Sequence, residues 1–268
     1  MIVFMHLGNL GRLGNQLFQI AATVSHAKSM GTKALFNEWE YNKFMLNPID
    51  DTFTDANGCF INEREHDLFS ATYHEYRPIT KANNLFLTGF FQSEKYFMQH
   101  RELICKTFSP KHHFLQVVKS SGSGFLNQNN LCAIHIRRTD YLDKPDFHTN
   151  LQLQYYFDCL ARLSEKLHGD VINVVIFSDD IAWCKANFKY PSRHLYFSEG
   201  NSNIVDLYLM AHCKHHIIAN SSFSWWGAWL KRMFTDNKGY TFAPAHWFGP
   251  KCEHTIIKDT YCNDWDIV

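Results

Sequence analysis

Short apolar runs, each closed by small or polar residues, alternate through the second half of the chain with longer stretches whose apolar positions recur every three to four residues. The runs at residues 131–136 (LCAIHI), 171–177, 194–197, 216–219 and 240–242 read as strands. Between them lie a helix with Leu153, Tyr156, Phe157, Leu160, Leu163 and Leu167 on one face, a short helix over 181–188, and helices over 204–211 and 223–234. Such alternation predicts a parallel sheet covered by helices on both faces. At the other end of the chain, a strand at residues 2–6 feeds the turn GNLGRLGNQ (8–16) and then a helix carrying Leu17, Ile20, Ala21 and Val24 on one face. The glycines at 8, 11 and 14 do not follow the dinucleotide fingerprint, so a Rossmann-type cofactor is not indicated. The loop still offers backbone N–H groups and the Asn15 amide to an anion at the helix start.

Residues 41–76 follow neither period. A strand at 85–87 leads through GFFQSEKYF (89–97) into a helix reaching about Thr107. The segment KSSGSGFLNQNN (119–130) is small, polar and aperiodic, the most linker-like piece of the chain. The expected organisation is therefore two α/β domains, residues 1–125 and 126–268.

With 268 residues and 46% hydrophobic content, the chain buries a sizeable core. Lys plus Arg and Asp plus Glu both number 26, so no global field draws it to nucleic acid or to an anionic membrane. Any anion must be held locally, which favours a small ligand over a polymer. The opening MIVFMHL is too short for a signal-peptide core, and no apolar stretch reaches the length of a transmembrane segment, so a cytoplasmic location is expected. The eight cysteines form no C-x-x-C pair and read as reduced, mostly buried thiols. Among sixteen histidines, the pairs His112/His113 and His215/His216 are sequence neighbours without the i, i+4 spacing of helix-borne ligands, and no metal site is expected.

The chemistry concentrates at strand ends. Residues 135–141, HIRRTDY, run a buried strand into two arginines, and each guanidinium is a fork that matches a pair of phosphate oxygens. Strand alternation places His135 and Arg137 on one face and Arg138 on the other. Arg137 is the candidate anion ligand and Arg138 the partner of a neighbouring carboxylate; a surface arginine pair is the other reading. Ser178-Asp179-Asp180 and Asn220-Ser221-Ser222 close two more strands, and in a doubly wound sheet such ends converge on one crevice. NSSFS (220–224) opens a helix, so its serines fit either phosphate binding or ordinary N-capping. Asp179 likewise fits a helix cap or an acceptor for the two N–H groups of a guanine edge. Trp225, Trp226 and Trp229, with Gly227 and Ala228, point to a helix packed closely on the sheet in preference to a sugar-stacking platform.

Six blocks, GRLGNQLFQIA (11–21), GFFQSEKYF (89–97), HIRRTDY (135–141), FSDD (177–180), DLYLMAHCKHHIIANSSFSWWGAWL (206–230) and APAHWF (243–248), together resemble the bacterial-type α-1,2-fucosyltransferases, in that family's order and over nearly the whole chain. The resemblance implies a GT-B-like architecture of two Rossmann-like α/β domains with parallel sheets. The N-terminal domain would serve the acceptor and the C-terminal domain would bind GDP-fucose. It further implies GDP-β-L-fucose as donor, a galactose-containing glycan as acceptor, inversion at the anomeric carbon, and no cofactor or metal. Carried over, the H-x-R-R-x-D motif falls on His135, Arg137, Arg138 and Asp140, with Arg137 on the donor diphosphate. Asp179 matches a guanine-recognising carboxylate. Asn220, Ser221, Ser222 and Phe223 match the phosphate-gripping segment, and Asn15, with Gln16 beside it, matches a residue facing the fucose or diphosphate. His148 aligns with a histidine ahead of a helix that reads S-L-E-Y-Y in the family and LQLQYY here.

Two departures stand out. Thr139 replaces the glycine of R-R-G-D-Y, and the acceptor-facing loop 142–148 is shorter than in many members. Inverting transfer needs a base for the attacking hydroxyl and cations for the departing diphosphate. Asp140 leads as base, with Asp143 and His148 as rivals, and a salt bridge from Asp140 to Arg138 is its purely structural alternative. A non-catalytic glycan-binding protein on this fold would be expected to lose the phosphate groups, and the joint presence of Arg137, Asp179 and Ser221 argues against it.

Overall fold

The computed structural model describes residues 1–53, 67–71, 75–82, 84–236, 238–252, 255 and 257–268. Part of the aperiodic stretch 41–76, and Cys59 with it, lies outside the described residues. Contacts divide the chain into two compact units, Met1–Phe114 with Ile256–Cys262, and Leu115–Thr255 with Asn263–Val268. The division falls ahead of the 125/126 position read from the sequence. The reason is that the linker-like segment is not a free linker: helix α3 (His112–Ser121) runs into a turn in which Phe125 is buried and meets the ring of Tyr196, and Gly122 lies against Leu126 and Leu209.

The first unit holds a four-stranded parallel sheet in the order β2-β1-β4-β3, with β1 Ile2–Phe4, β2 Ala34–Phe36, β3 Asp67–Ala71 and β4 Leu85–Gly89. Helix α1 (Leu13–Ser29) is buried far beyond one stripe, so even Gln16, Gln19, Thr23 and Ser25 are enclosed. Each makes a hydrogen bond there, although Gln19 is bonded through Nε2 alone and its Oε1 is left without a partner. The expected helix after GFFQSEKYF starts later, as two 3-10 turns followed by α2 (Arg101–Thr107). Residues of the C-terminal segment complete this unit: Asp259 accepts from Lys95 Nζ at 2.6 Å and from the Tyr76 N–H at 2.9 Å.

The second unit contains a six-stranded sheet, all pairings parallel, in the order β10-β9-β8-β5-β6-β7. Its strands are β5 Leu131–Ile136, β6 Asn173–Ser178, β7 Leu195–Phe197, β8 His215–Ile217, β9 Thr241–Ala243 and β10 Asp266–Ile267. The intervening helices are α4 Thr139–Leu142, α5 Leu153–Lys166, α6 Ile181–Asn187, α7 Asn203–Ala211 and α8 Ser222–Leu230. From β5 the chain winds one way through β6 and β7, then crosses back to β8 and continues the other way. The order therefore reverses between β5 and β8, and in open α/β sheets ligands bind at the carboxyl ends of the strands flanking such a reversal. Both faces are covered. Tyr156, Cys159, Leu160 and Leu163 of α5 pack with Cys132, Ile134, Val174 and Ile176. Trp225, Trp226 and Trp229 of α8 are fully buried. Gly227 allows α8 to approach α7, since a Cβ there would lie 2.8 Å from that of Met210.

Candidate active site

The ends of β5 and β8 that flank the reversal carry Arg137 and Asn220–Ser221. Burial of the whole of β5 fixes where its last residues emerge, and α4 begins two residues beyond Arg137. That single helical turn brings Asp140 back over Arg137, so NH2 of the guanidinium pairs with Asp140 Oδ1. NH1 reaches Asp179 Oδ2, at the end of β6, at 3.1 Å. Arg137 thus sits between two carboxylates, at 16% side-chain exposure. The structural alternative read from the sequence paired Asp140 with Arg138. The structure gives Asp140 to Arg137, because β5 turns Arg138 to its other face, where Nε meets Asp180 at 3.3 Å and the guanidinium lies 3.5 Å from the Trp183 ring centroid.

Asp179 is bound up with the arginine motif. Its Oδ1 accepts from the Arg138 N–H at 2.9 Å, and its Oδ2 accepts from the Thr139 hydroxyl as well as from Arg137. A bidentate guanine contact needs both oxygens, and Oδ2 already accepts twice. Asp180 caps α6 through the Trp183 N–H at 3.1 Å. His135 is buried among these charges. Burial first, then the Arg137 charge, push its imidazole down to about 3 against the opposing pull of Asp179, so it is neutral at neutral pH and supplies no cation. Its ring lies 5.6 Å from that of Phe223.

At the β8 end, Ser221 N-caps α8 by accepting from the Phe223 N–H, and Ser222 and Phe223 form the half-exposed first turn. Asn220 differs from its expected role. It is 3% exposed, and its amide nitrogen donates to the carbonyls of Thr149 and Trp247 at 3.0 and 2.8 Å, tying two loops together. Gln16 in the first unit is likewise spent: its Oε1 accepts from Trp39 Nε1 and its Nε2 donates to the Gly11 carbonyl. A polar residue whose donors and acceptors are satisfied internally is a brace, and nothing in its sequence neighbourhood distinguishes it from a ligand. Asn15 accepts from Gln92 Nε2 at 2.6 Å and packs over Gly11, whose φ of +91° and lack of Cβ make that approach possible.

One residue that sequence reasoning overlooked links the two strand ends. Tyr141 donates to the Asn220 carbonyl at 2.8 Å, stacks on His148, and lies 5.5 Å from the Arg137 guanidinium. Its signal was available, as the only phenol inside HIRRTDY. His148 pairs with Phe248 across an antiparallel bridge, which holds loop 142–148 beside this cluster. Asp206 was also passed over: burial raises its carboxyl above the usual range, and it accepts from the Ser198 hydroxyl beyond the end of β7. Among the described residues no group of three or more His, Cys, Asp or Glu is placed to hold a metal ion, and no helix is long and apolar enough to cross a membrane.

Solved structures share this architecture. The chain aligns with Arabidopsis thaliana FUT1 in complex with GDP at a TM-score of 0.53 and 11% identity, covering 90% of this chain and 69% of that one. It aligns with NodZ α-1,6-fucosyltransferase soaked with GDP-fucose at 0.51 and 13%, covering 85% and 92%. The fold is the GT-B architecture of fucosyltransferases, with parallel sheets in both units.

The chain belongs to glycosyl transferase family 11, whose family model matches residues 7–268. It is 33% identical to an alpha-1,2-colitosyltransferase of Escherichia coli over 89% of this chain and 90% of that protein. It is 30% identical to the O-antigen biosynthesis glycosyltransferase WbnK of Escherichia coli, over 94% and 98%. A galactoside 2-alpha-L-fucosyltransferase of Bos taurus is 26% identical over 82% of this chain and 62% of that protein. The protein is therefore a glycosyltransferase.

Proposed function

We propose that the protein transfers L-fucose from GDP-β-L-fucose to a glycan, at the 2-hydroxyl of a galactose, with inversion and without a divalent ion. The observation that carries this reading is the placement of Arg137 at the reversal of strand order, tied through Tyr141 to the carbonyl at the entry of α8. Arg137 and the N–H groups at the start of α8 supply fixed positive charge for a departing diphosphate. In the single displacement, the acceptor oxygen forms its bond to the anomeric carbon as the bond to phosphate breaks. The electron pair leaves on GDP, and the acceptor proton passes to a base. Asp140 is that base, with Asp143 and His148 as the alternatives in reach of the same loop.

The higher identity to the colitosyltransferase supports a second donor reading. Colitose is L-fucose without its 3-hydroxyl, so a transferase of this kind takes it by failing to demand one hydrogen bond. Turnover by dialysed enzyme in excess EDTA, with GDP-fucose and GDP-colitose offered separately to galactose-terminated oligosaccharides, tests both donors and the metal together. Fucosyl transfer to the galactose 2-hydroxyl in EDTA is the expected result. Transfer from GDP-colitose alone would install the second reading, and loss of activity restored by Mg²⁺ or Mn²⁺ would end the metal-free mechanism.

A further inference from the structure

The fork of Arg137 is gripped by two carboxylates of its own chain, and the donor diphosphate of the proposed reaction is a third anion for the same group. The two carboxylates are not equivalent. Asp179 is 18% exposed and is held from both sides, by the Arg138 N–H on Oδ1 and the Thr139 hydroxyl on Oδ2. Asp140 is 39% exposed and rides on a single turn of helix. They also grip different nitrogens, Asp179 at NH1 and Asp140 at NH2.

Resting on the donor reading above, we infer that Thr139 is a positioning residue for the donor diphosphate. Its hydroxyl fixes Asp179 against the motif, Asp179 anchors the NH1 edge of Arg137, and the phosphate takes the NH2 edge by displacing Asp140. One edge of the guanidinium is anchored and the other exchangeable, so the phosphate meets a preoriented fork instead of a mobile side chain. The exchange has a second product. Asp140 gives up its arginine only when the donor arrives, which releases a carboxylate beside the sugar at the moment a base is needed.

The test is calorimetric titration of GDP into the native protein, Thr139→Ser, Thr139→Val and Asp140→Asn, with thermal unfolding recorded for each. Valine removes the charge-assisted bond to Asp179 and should weaken GDP by about tenfold, while serine, which keeps the hydroxyl, should stay within about threefold of native. Asp140→Asn removes the competing anion and should bind GDP at least as tightly as native. Native-like GDP affinity in folded Thr139→Val would overturn the inference. So would an Asp140→Asn protein that loses as much affinity as the valine variant, since Asp140 would then be the anchor. No GDP binding by the native chain would instead sink the donor reading, and the positioning role with it.

Discussion

Tyr141 stacks face to face on His148, with ring centroids 4.1 Å apart and planes 6° from parallel, while its hydroxyl donates to the Asn220 carbonyl. The pair joins the loop after β5 to the entry of α8. Tyr141→Phe removes only the hydroxyl and should cost about 1 kcal/mol. Tyr141→Leu also removes the stack, a further ~0.5–1.5 kcal/mol. Urea unfolding should therefore rank native above Phe above Leu, and equal losses would mean that the stack contributes nothing.

Arg137→Ala should weaken GDP binding by about a hundredfold or more, the worth of a charge-assisted phosphate contact of roughly 2–4 kcal/mol. It leaves Asp140 and Asp179 facing each other without their shared cation. Arg137→Lys should recover little, since an ammonium has no fork with which to hold Asp179 and phosphate at once. Isothermal titration with GDP reads both variants; near-native affinity in folded Arg137→Ala would move the donor site elsewhere.

If Asp140 is the base, Asp140→Asn should lower turnover by roughly 10²–10⁴-fold with GDP affinity kept. Steady-state rates and GDP titration on the same preparation separate these effects. A parallel fall in rate, affinity and unfolding temperature would mark Asp140 as a structural partner of Arg137, and Asp143 and His148 would be tested next.

Asn220→Ala removes the amide donor to the Thr149 and Trp247 carbonyls and should cost about 2–4 kcal/mol of stability. GDP affinity of the folded protein should change far less. A large loss of affinity at unaltered stability would restore Asn220 to the ligand.

Buried histidines set the acid limit. Burial pushes His215 down to about 4 and His135 to about 3, and His216 well below the ordinary imidazole value, with nearby lysine or arginine charge adding to each. The unfolded chain takes up these protons near the usual value of about 6.5, and the native state does not. Their contribution is therefore fully present above about 6.5 and is lost as the pH falls toward the folded values. Unfolding free energy measured in urea should be level from pH 8 to 7 and decline steadily between about pH 6.5 and 4. A flat profile there would show these imidazoles protonated in the fold.

The alternation of β5 to β9 with their helices was legible because each strand lies in or beside a short apolar run, longest in the central β5 and β6, which are buried on both faces. Some of the shortest elements were not. β2, β10 and the one-turn α4 carry too few positions for any period to show, yet α4 is what brings Asp140 to Arg137. β3 fell inside a stretch that showed no pattern. Of the site, the convergence of Arg137, Asp179 and Ser221 on one sheet edge follows from strand order alone. The partners of Asn220, Gln16 and Asp179 do not, since most lie twenty or more residues away and polar side chains carry no mark of whether the fold will satisfy them.

The return of Ile256–Cys262 to the first unit, followed by Asn263–Val268 in the second, means that neither unit is one continuous length of chain. A protein ending near Thr255 would lose the Asp259 carboxylate that Lys95 and the Tyr76 N–H share, and with it β10 from the edge of the other sheet. During synthesis the first unit is therefore completed late: its helices and sheet emerge early, yet its acidic anchor at Asp259 leaves the ribosome only after β5 to β9 of the arginine-bearing sheet. Folding of the first unit is in this sense tied to synthesis of residues 257–262, and a stop before Asp259 damages both units.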